Sequence, residues 1–97
     1  MELLTIIMSQ DLEHEIADMV SDAKVDCYVK MTDAYGVSHA CEGIIGENME
    51  WDATLMMITG ERKNLEELAE KVQKKMSEKE FKPCVRMMLT PVDKVWM

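Results

Sequence analysis

"WDATLMMITGERKNLEELAEKVQKKMSEKE", residues 51–80, changes periodicity at a single glycine. Before Gly60 the run is short, apolar and punctuated by threonines, which reads as a strand over 51–60. After it, Leu65, Leu68, Ala69, Val72 and Met76 recur at three- and four-residue spacing, which predicts an amphipathic helix over 61–80. Asn64 with Glu67 has the form of a capping box, and Glu67–Lys71 and Glu70–Lys74 sit one turn apart. Beyond Pro83, "CVRMMLTPVDKVWM" supplies a further strand and a short tail. This half of the chain is therefore strand, helix, strand.

The upstream half repeats the order. "ELLTIIMS", residues 2–9, is a short apolar run with β-branched members. In "QDLEHEIADMVSDAK", residues 10–24, Leu12, Ile16, Met19, Val20 and Ala23 form one helical stripe. Ser9 or Asp11 can cap it, and Asp11, Glu13 and Glu15 suit its positive end. His14 lies off the stripe, as a solvated side chain would. "VDCYVKMTDAYG", residues 25–36, reads as a long strand. Strict alternation sends Tyr28, Lys30, Thr32 and Ala34 one way and Cys27, Val29, Met31 and Asp33 the other.

The order β-α-β-β-α-β with right-handed crossovers predicts a single α+β domain over residues 1–97. It is a ferredoxin-like plait, a four-stranded antiparallel sheet with both helices on one face. The first and third strands should be central, and both are apolar on both faces. Two helices cover only one face, so the other calls for cover from further copies of the chain.

The bulk composition narrows the function. The chain has 97 residues and a net charge of −8, from 19 acidic and 11 basic groups. That balance argues against nucleic acid and against an anionic membrane surface as partners. No apolar run approaches the roughly 20 residues of a membrane span, so the protein is not expected to be membrane-embedded. The first residues lack a basic leader, and the three cysteines, Cys27, Cys41 and Cys84, show no CxxC pair. A cytoplasmic protein with reduced thiols is the expectation. Eleven methionines are mostly assigned to strands as adaptable filler.

The segment "GVSHACEGIIGENMEW", residues 36–51, is too long for a hairpin turn. His39 and Cys41, two apart, project to one side of an extended chain, and imidazole with thiolate suits Zn(II) or Cu(I). Met49, Glu50 or Cys84 are candidates to complete such a set. Ile44 and Ile45, between Gly43 and Gly46, are candidates for contact with a partner protein. Packing is the expected role of Trp51 and Trp96. The sequence brings together no nucleophile, base and orienting group, so catalysis is not expected.

The plait, the doubly apolar sheet and the long second connection resemble the PII-like signalling proteins. "TDAYGVSH", residues 32–39, is similar to the base of that family's signalling loop, and "LTPVDKV", residues 89–95, to its final strand. "LLTIIMSQDLEHEIADMV" is similar to its opening strand and helix. The resemblance implies a homotrimer with a ligand cleft between subunits, at Tyr35, Gly36, Ser38 and His39. It also implies a signalling arm over 37–50 that engages a transporter or other regulated protein. "AYGVSHACE" is similar to family members found beside metal-efflux pumps. "SEKEFKPCV" holds no glycine where the family carries a glycine- and lysine-rich phosphate loop, and Val37 and Ser38 replace an expected arginine and glutamine. Both departures speak against nucleotide binding. A CutA-like trimer that binds divalent metals and an amino-acid-sensing module of the ACT type are the competing readings. The second lacks the glycine expected near the first strand-helix turn.

Overall fold

The structure is a computed structural model that describes residues 1–38, 49–80 and 83–97. Four strands and two helices follow in the expected order. They are β1 (Glu2–Ser9), α1 (Glu13–Ser21), β2 (Cys27–Ser38), β3 (Met49–Gly60), α2 (Arg62–Ser77) and β4 (Val85–Pro91). A single 3₁₀ turn, Gln10–Leu12, leads into α1. The sheet order is β2-β3-β1-β4, all antiparallel, so β1 and β3 are central.

Register explains the core. Leu4 pairs with Ile58, Ile6 with Met56 and Met8 with Thr54, which places one side of each central strand on one face. All six are buried. Leu12, Ile16 and Val20 of the first helical segment and Leu65, Leu68, Val72 and Met76 of α2 close over them. Val85, Met87 and Leu89 of β4 pack partly against the same cluster. Burying such side chains stabilises by roughly 1.5–3 kcal/mol each. The ion pair of Lys79 with Glu15, at 2.8 Å, ties the far end of α2 to the first turn of α1.

Three local expectations are corrected. Helix α2 starts after Glu61, which makes no side-chain cap, and not at an Asn64 box. Among the described residues its one-turn ion pair is Arg62–Glu66, not Glu67–Lys71 or Glu70–Lys74. Alternation in β2 also breaks: Met31 pairs with Leu55 but Ala34 with Ala53, so one extra residue is inserted around Thr32 and Asp33. Asp33 has φ 58°, a left-handed conformation that a bulge accommodates. Ala34 and Gly36 therefore join the face of Met31, not that of Lys30.

That face carries no helix among the described residues. Leu3, Thr5 and Ile7 of β1 lie on it with Leu55, Met57 and Thr59 of β3, and with Met88 and Thr90 of β4. Val29 (54% exposed), Met31 (41%), Met57 (39%) and Met88 (43%) are open to solvent in the single chain. No helix among the described residues is long and apolar enough to cross a membrane.

Candidate functional site

Beyond Ala53 the second hairpin outruns the rest of the sheet. Strand β1 ends at Ser9, opposite Ala53, while β2 and β3 stay paired through Tyr35–Asp52, Gly36–Trp51, Val37–Glu50 and Ser38–Met49. A two-stranded ribbon thus rises from the sheet, and the segment read as a loop is paired at both ends.

Where the ribbon leaves the sheet lies a hollow of about 290 Å³. Its floor is apolar, from Ile7, Leu55 and Ala53, and its rim carries Tyr35, Gly36, Val37, Trp51, Cys84 and Arg86. A volume this small is at the lower end for a ligand pocket and suits a small molecule.

The hollow depends on the pairing of Gly36 with Trp51. A Cβ placed on Gly36 would come within 2.7 Å of the indole Cε2, so only glycine lets the ring lie across β2. The ring so held is half-buried, and its Nε1 is shut from water with no hydrogen-bond partner among the described residues. A buried indole N–H normally finds an acceptor, which makes this one a donor in waiting.

Behind the sheet, on the helix side, a polar lock holds β2 and β3 to α1. Lys30 Nζ lies 2.8 Å from Glu13 Oε1, and the buried Thr54 hydroxyl donates to Glu13 Oε2 at 3.1 Å. The Lys30 hydrogen bond, aided by Thr54 and by the charges of Lys30 and His14, holds the Glu13 carboxyl below its ordinary value. Ser9 Oγ donates to Asp11 in the turn before it.

Of the residues expected to bind ligand, the structure brings Tyr35 and Gly36 to the hollow; Tyr35 is 68% exposed. Ser38 is paired in β2, and His39 lies outside the described residues. Cys41, Ile44 and Ile45, and hence the metal and partner-contact sites, lie outside them too. Trp51 and Arg86, which sequence reasoning did not assign to a site, stand at the rim. Parity along "VRMML" would have found Arg86, since it shares the face of Met88. Trp96 is corrected: it is 82% exposed, with Lys94 5.8 Å from its ring centroid, and does not pack. Cys27 is free and exposed, but Cys84 is disulfide-bonded, so the expectation of wholly reduced thiols does not hold.

No family model matches this sequence, and no curated protein matches it. Solved structures do. CPII, a nitrogen regulatory PII-like protein from Thiomonas intermedia K12 bound to ADP, AMP and bicarbonate, superposes with a TM-score of 0.64 at 16% identity, over 98% of this chain and 94% of that one. The divalent cation tolerance protein CutA1 from Thermus thermophilus gives 0.69 at 15% identity, over 98% and 87%. A DUF3240 family protein from Shewanella baltica OS155 gives 0.62 at 13%, over 99% and 93%. The likeness is one of fold, and it runs the length of the chain: this is the ferredoxin-like plait that PII-like and CutA1 proteins share.

Proposed function

We propose that the chain is a non-catalytic, ligand-sensing regulator of the PII-like kind, which assembles as a homotrimer. It binds a small ligand or metal ion in clefts between subunits and signals to a partner protein through residues 37–50. The observation that carries this reading is the helix-free face, apolar from β2 to β4 and open in the single chain. Exposed patches of that extent on a folded domain mark an interaction surface. Among the described residues the sheet also ends in two unpaired edges, β2 and β4. Head-to-tail contact between unlike edges forms a ring wherever its rotation closes, and three copies give the smallest such ring above a dimer.

The position of the hollow supports the sensing role, because it joins the helix-free face to the root of the ribbon. A ligand there touches both the interface and the arm. The fold likeness to a PII-like protein that holds nucleotides and bicarbonate supports a ligand cleft, but "SEKEFKPCV" lacks the glycines of a phosphate cradle. The ligand is then a small molecule or a soft metal rather than a nucleotide.

Sedimentation velocity at micromolar concentration tests the assembly, with one species of three chain masses expected. A folded monomer under those conditions sinks the reading. Under reducing conditions Cu(I) or Zn(II) should raise Tm by linkage, and His39→Ala with Cys41→Ala should abolish the rise. No shift with either metal leaves the small-molecule branch alone.

A further inference from the structure

The helix-free face holds two kinds of apolar side chain. Leu3, Ile7 and Leu55 are half-buried by their neighbours. Within the four strands, the large hydrophobic residues left exposed on this face are Val29, Met31, Met57 and Met88, so three of the four carry a thioether. Register gathers them. Val29, Met57, Thr5 and Met88 form one row across all four strands, and Met31 stands in the next row, beside Leu55. The covered face shields its own sulfur: Met8 and Met56 are wholly buried and Met76 is nearly so.

An exposed thioether needs no activation to react with a peroxide. One oxygen atom passes to a sulfur lone pair, so the S–O bond forms as the O–O bond breaks. Sulfur is oxidised to the sulfoxide and the peroxide is reduced to water or an alcohol. A flexible apolar tip thereby becomes a strong dipole. The ladder sets only Leu55 beside Met31, and only Val29 and Thr5 beside Met57. Sulfoxide oxygens would enter a packed interface short of hydrogen-bond donors, which is costly. Assembly also controls access: the three sulfurs meet solvent in the free chain and lose it once copies pack on the face.

We propose that Met31, Met57 and Met88 form a reversible oxidation site that governs assembly. Peroxide converts them to sulfoxides on the free chain, which then no longer packs against its copies. Reduction by a dithiol enzyme returns the thioethers and releases water, leaving the dithiol as a disulfide. The proposal adds a regulatory modification to the face described above and rests on the assembly assigned to it.

Hydrogen peroxide treatment of the full chain tests it, in a Cys27→Ser background that removes the exposed thiol. Sedimentation velocity and fragmentation mass spectrometry follow the same samples. Met31, Met57 and Met88 should gain one oxygen each about tenfold faster than Met8 and Met56. Chains so labelled should sediment as monomers with unchanged far-ultraviolet dichroism. Methionine sulfoxide reductases with dithiothreitol should restore the assembly, and dithiothreitol alone should not. A variant carrying Met31→Leu, Met57→Leu and Met88→Leu keeps the apolar volume and lacks the sulfur. It should assemble and stay assembled in peroxide, even as the exposed Met1 and Met97 are oxidised.

Equal oxidation of Met56 and Met57, recovery with dithiothreitol alone, or disassembly of the leucine variant by peroxide overturns the proposal. Where that variant fails to assemble, Met57→Leu alone replaces it and should slow the peroxide-driven loss of assembly severalfold; an unchanged rate overturns the proposal. A trimer that survives oxidation at all three positions rejects the modification site alone. An untreated parent that sediments as a folded monomer rejects the assembly, and the control built on it.

Discussion

The two faces of this sheet are built from the same kinds of residue and lead different lives. On one, Leu4, Ile6, Met8, Met56 and Ile58 are sealed under α1 and α2. On the other, Thr5, Ile7, Leu55, Met57 and Met88 have no helix above them among the described residues, and Met57 and Met88 stay open. Within β3, neighbouring methionines separate the two cases: Met56 is wholly buried and Met57 is 39% exposed. Hydrophobicity alone does not distinguish them; their parity and the count of helices do. The covered face makes the domain, and the uncovered one is the surface through which we propose that it assembles.

The sharpest way to break that contrast is to truncate both faces alike. Ile6→Ala on the covered face should cost about 2–5 kcal/mol in denaturant unfolding, from lost burial and the cavity left behind. Met57→Ala should cost the isolated fold far less and should instead make Tm depend strongly on protein concentration. Similar losses without that dependence would mean that the two faces are equivalent. A charge goes further: Met57→Glu should yield a folded monomer by sedimentation, with far-ultraviolet dichroism unchanged, because an unpaired carboxylate is costly in an apolar interface.

At the root of the ribbon the effect is smaller. Gly36→Ala drives a methyl into the Trp51 ring and should cost about 1–3 kcal/mol as overpacking. The Trp51 emission should move to the red as the ring is displaced, read in a Trp96→Phe background. Unchanged emission would mean that the ring is not held by the glycine.

The smallest effect concerns the lock on the covered side. Glu13 is held below its ordinary carboxylate value, so its contribution is present above the unfolded pKa and is lost as pH falls through the folded one. Stability should drop below about pH 4.5, where an unfolded carboxyl protonates. Glu13→Gln should flatten that acid limb. Lys30→Met should do the same, by removing the first cause of the shift. An unaltered limb in both variants would show that the lock does not hold β2 to α1.

Much of this was legible in the sequence where side chains report on the nearest water. The stripes of α1 and α2 and the runs of β1 and β3 place the plait, because burial repeats at 3.6 or 2 residues. The order of the strands followed from connection rules. What escaped was set by contacts between distant residues. The bulge at Thr32 and Asp33 lies opposite Thr54, where β1 runs out, and no local propensity in "KMTDAY" announces it. The start of α2 followed the tertiary exit from β3 rather than the Asn64 signal. The hollow was half found: Tyr35 and Gly36 by resemblance, whereas Trp51 and Arg86 needed the ladder to bring them together.

The extra residue in β2 also bears on how the arm can change over time. Loss of Asp33 alone would leave Thr32 opposite Thr54 and make the ladder regular, with Ala34 still facing Ala53 and Gly36 still facing Trp51. Which residues meet at the root is therefore indifferent to that insertion; what the insertion supplies is the added twist and bend that aim the ribbon. Evolution can thus re-point the arm at Thr32 and Asp33, or lengthen it in matched pairs beyond Gly36, without rewriting the pocket beneath. A single residue gained or lost between Ala34 and Gly36 has no such freedom, because it would turn the strand over where the indole rests.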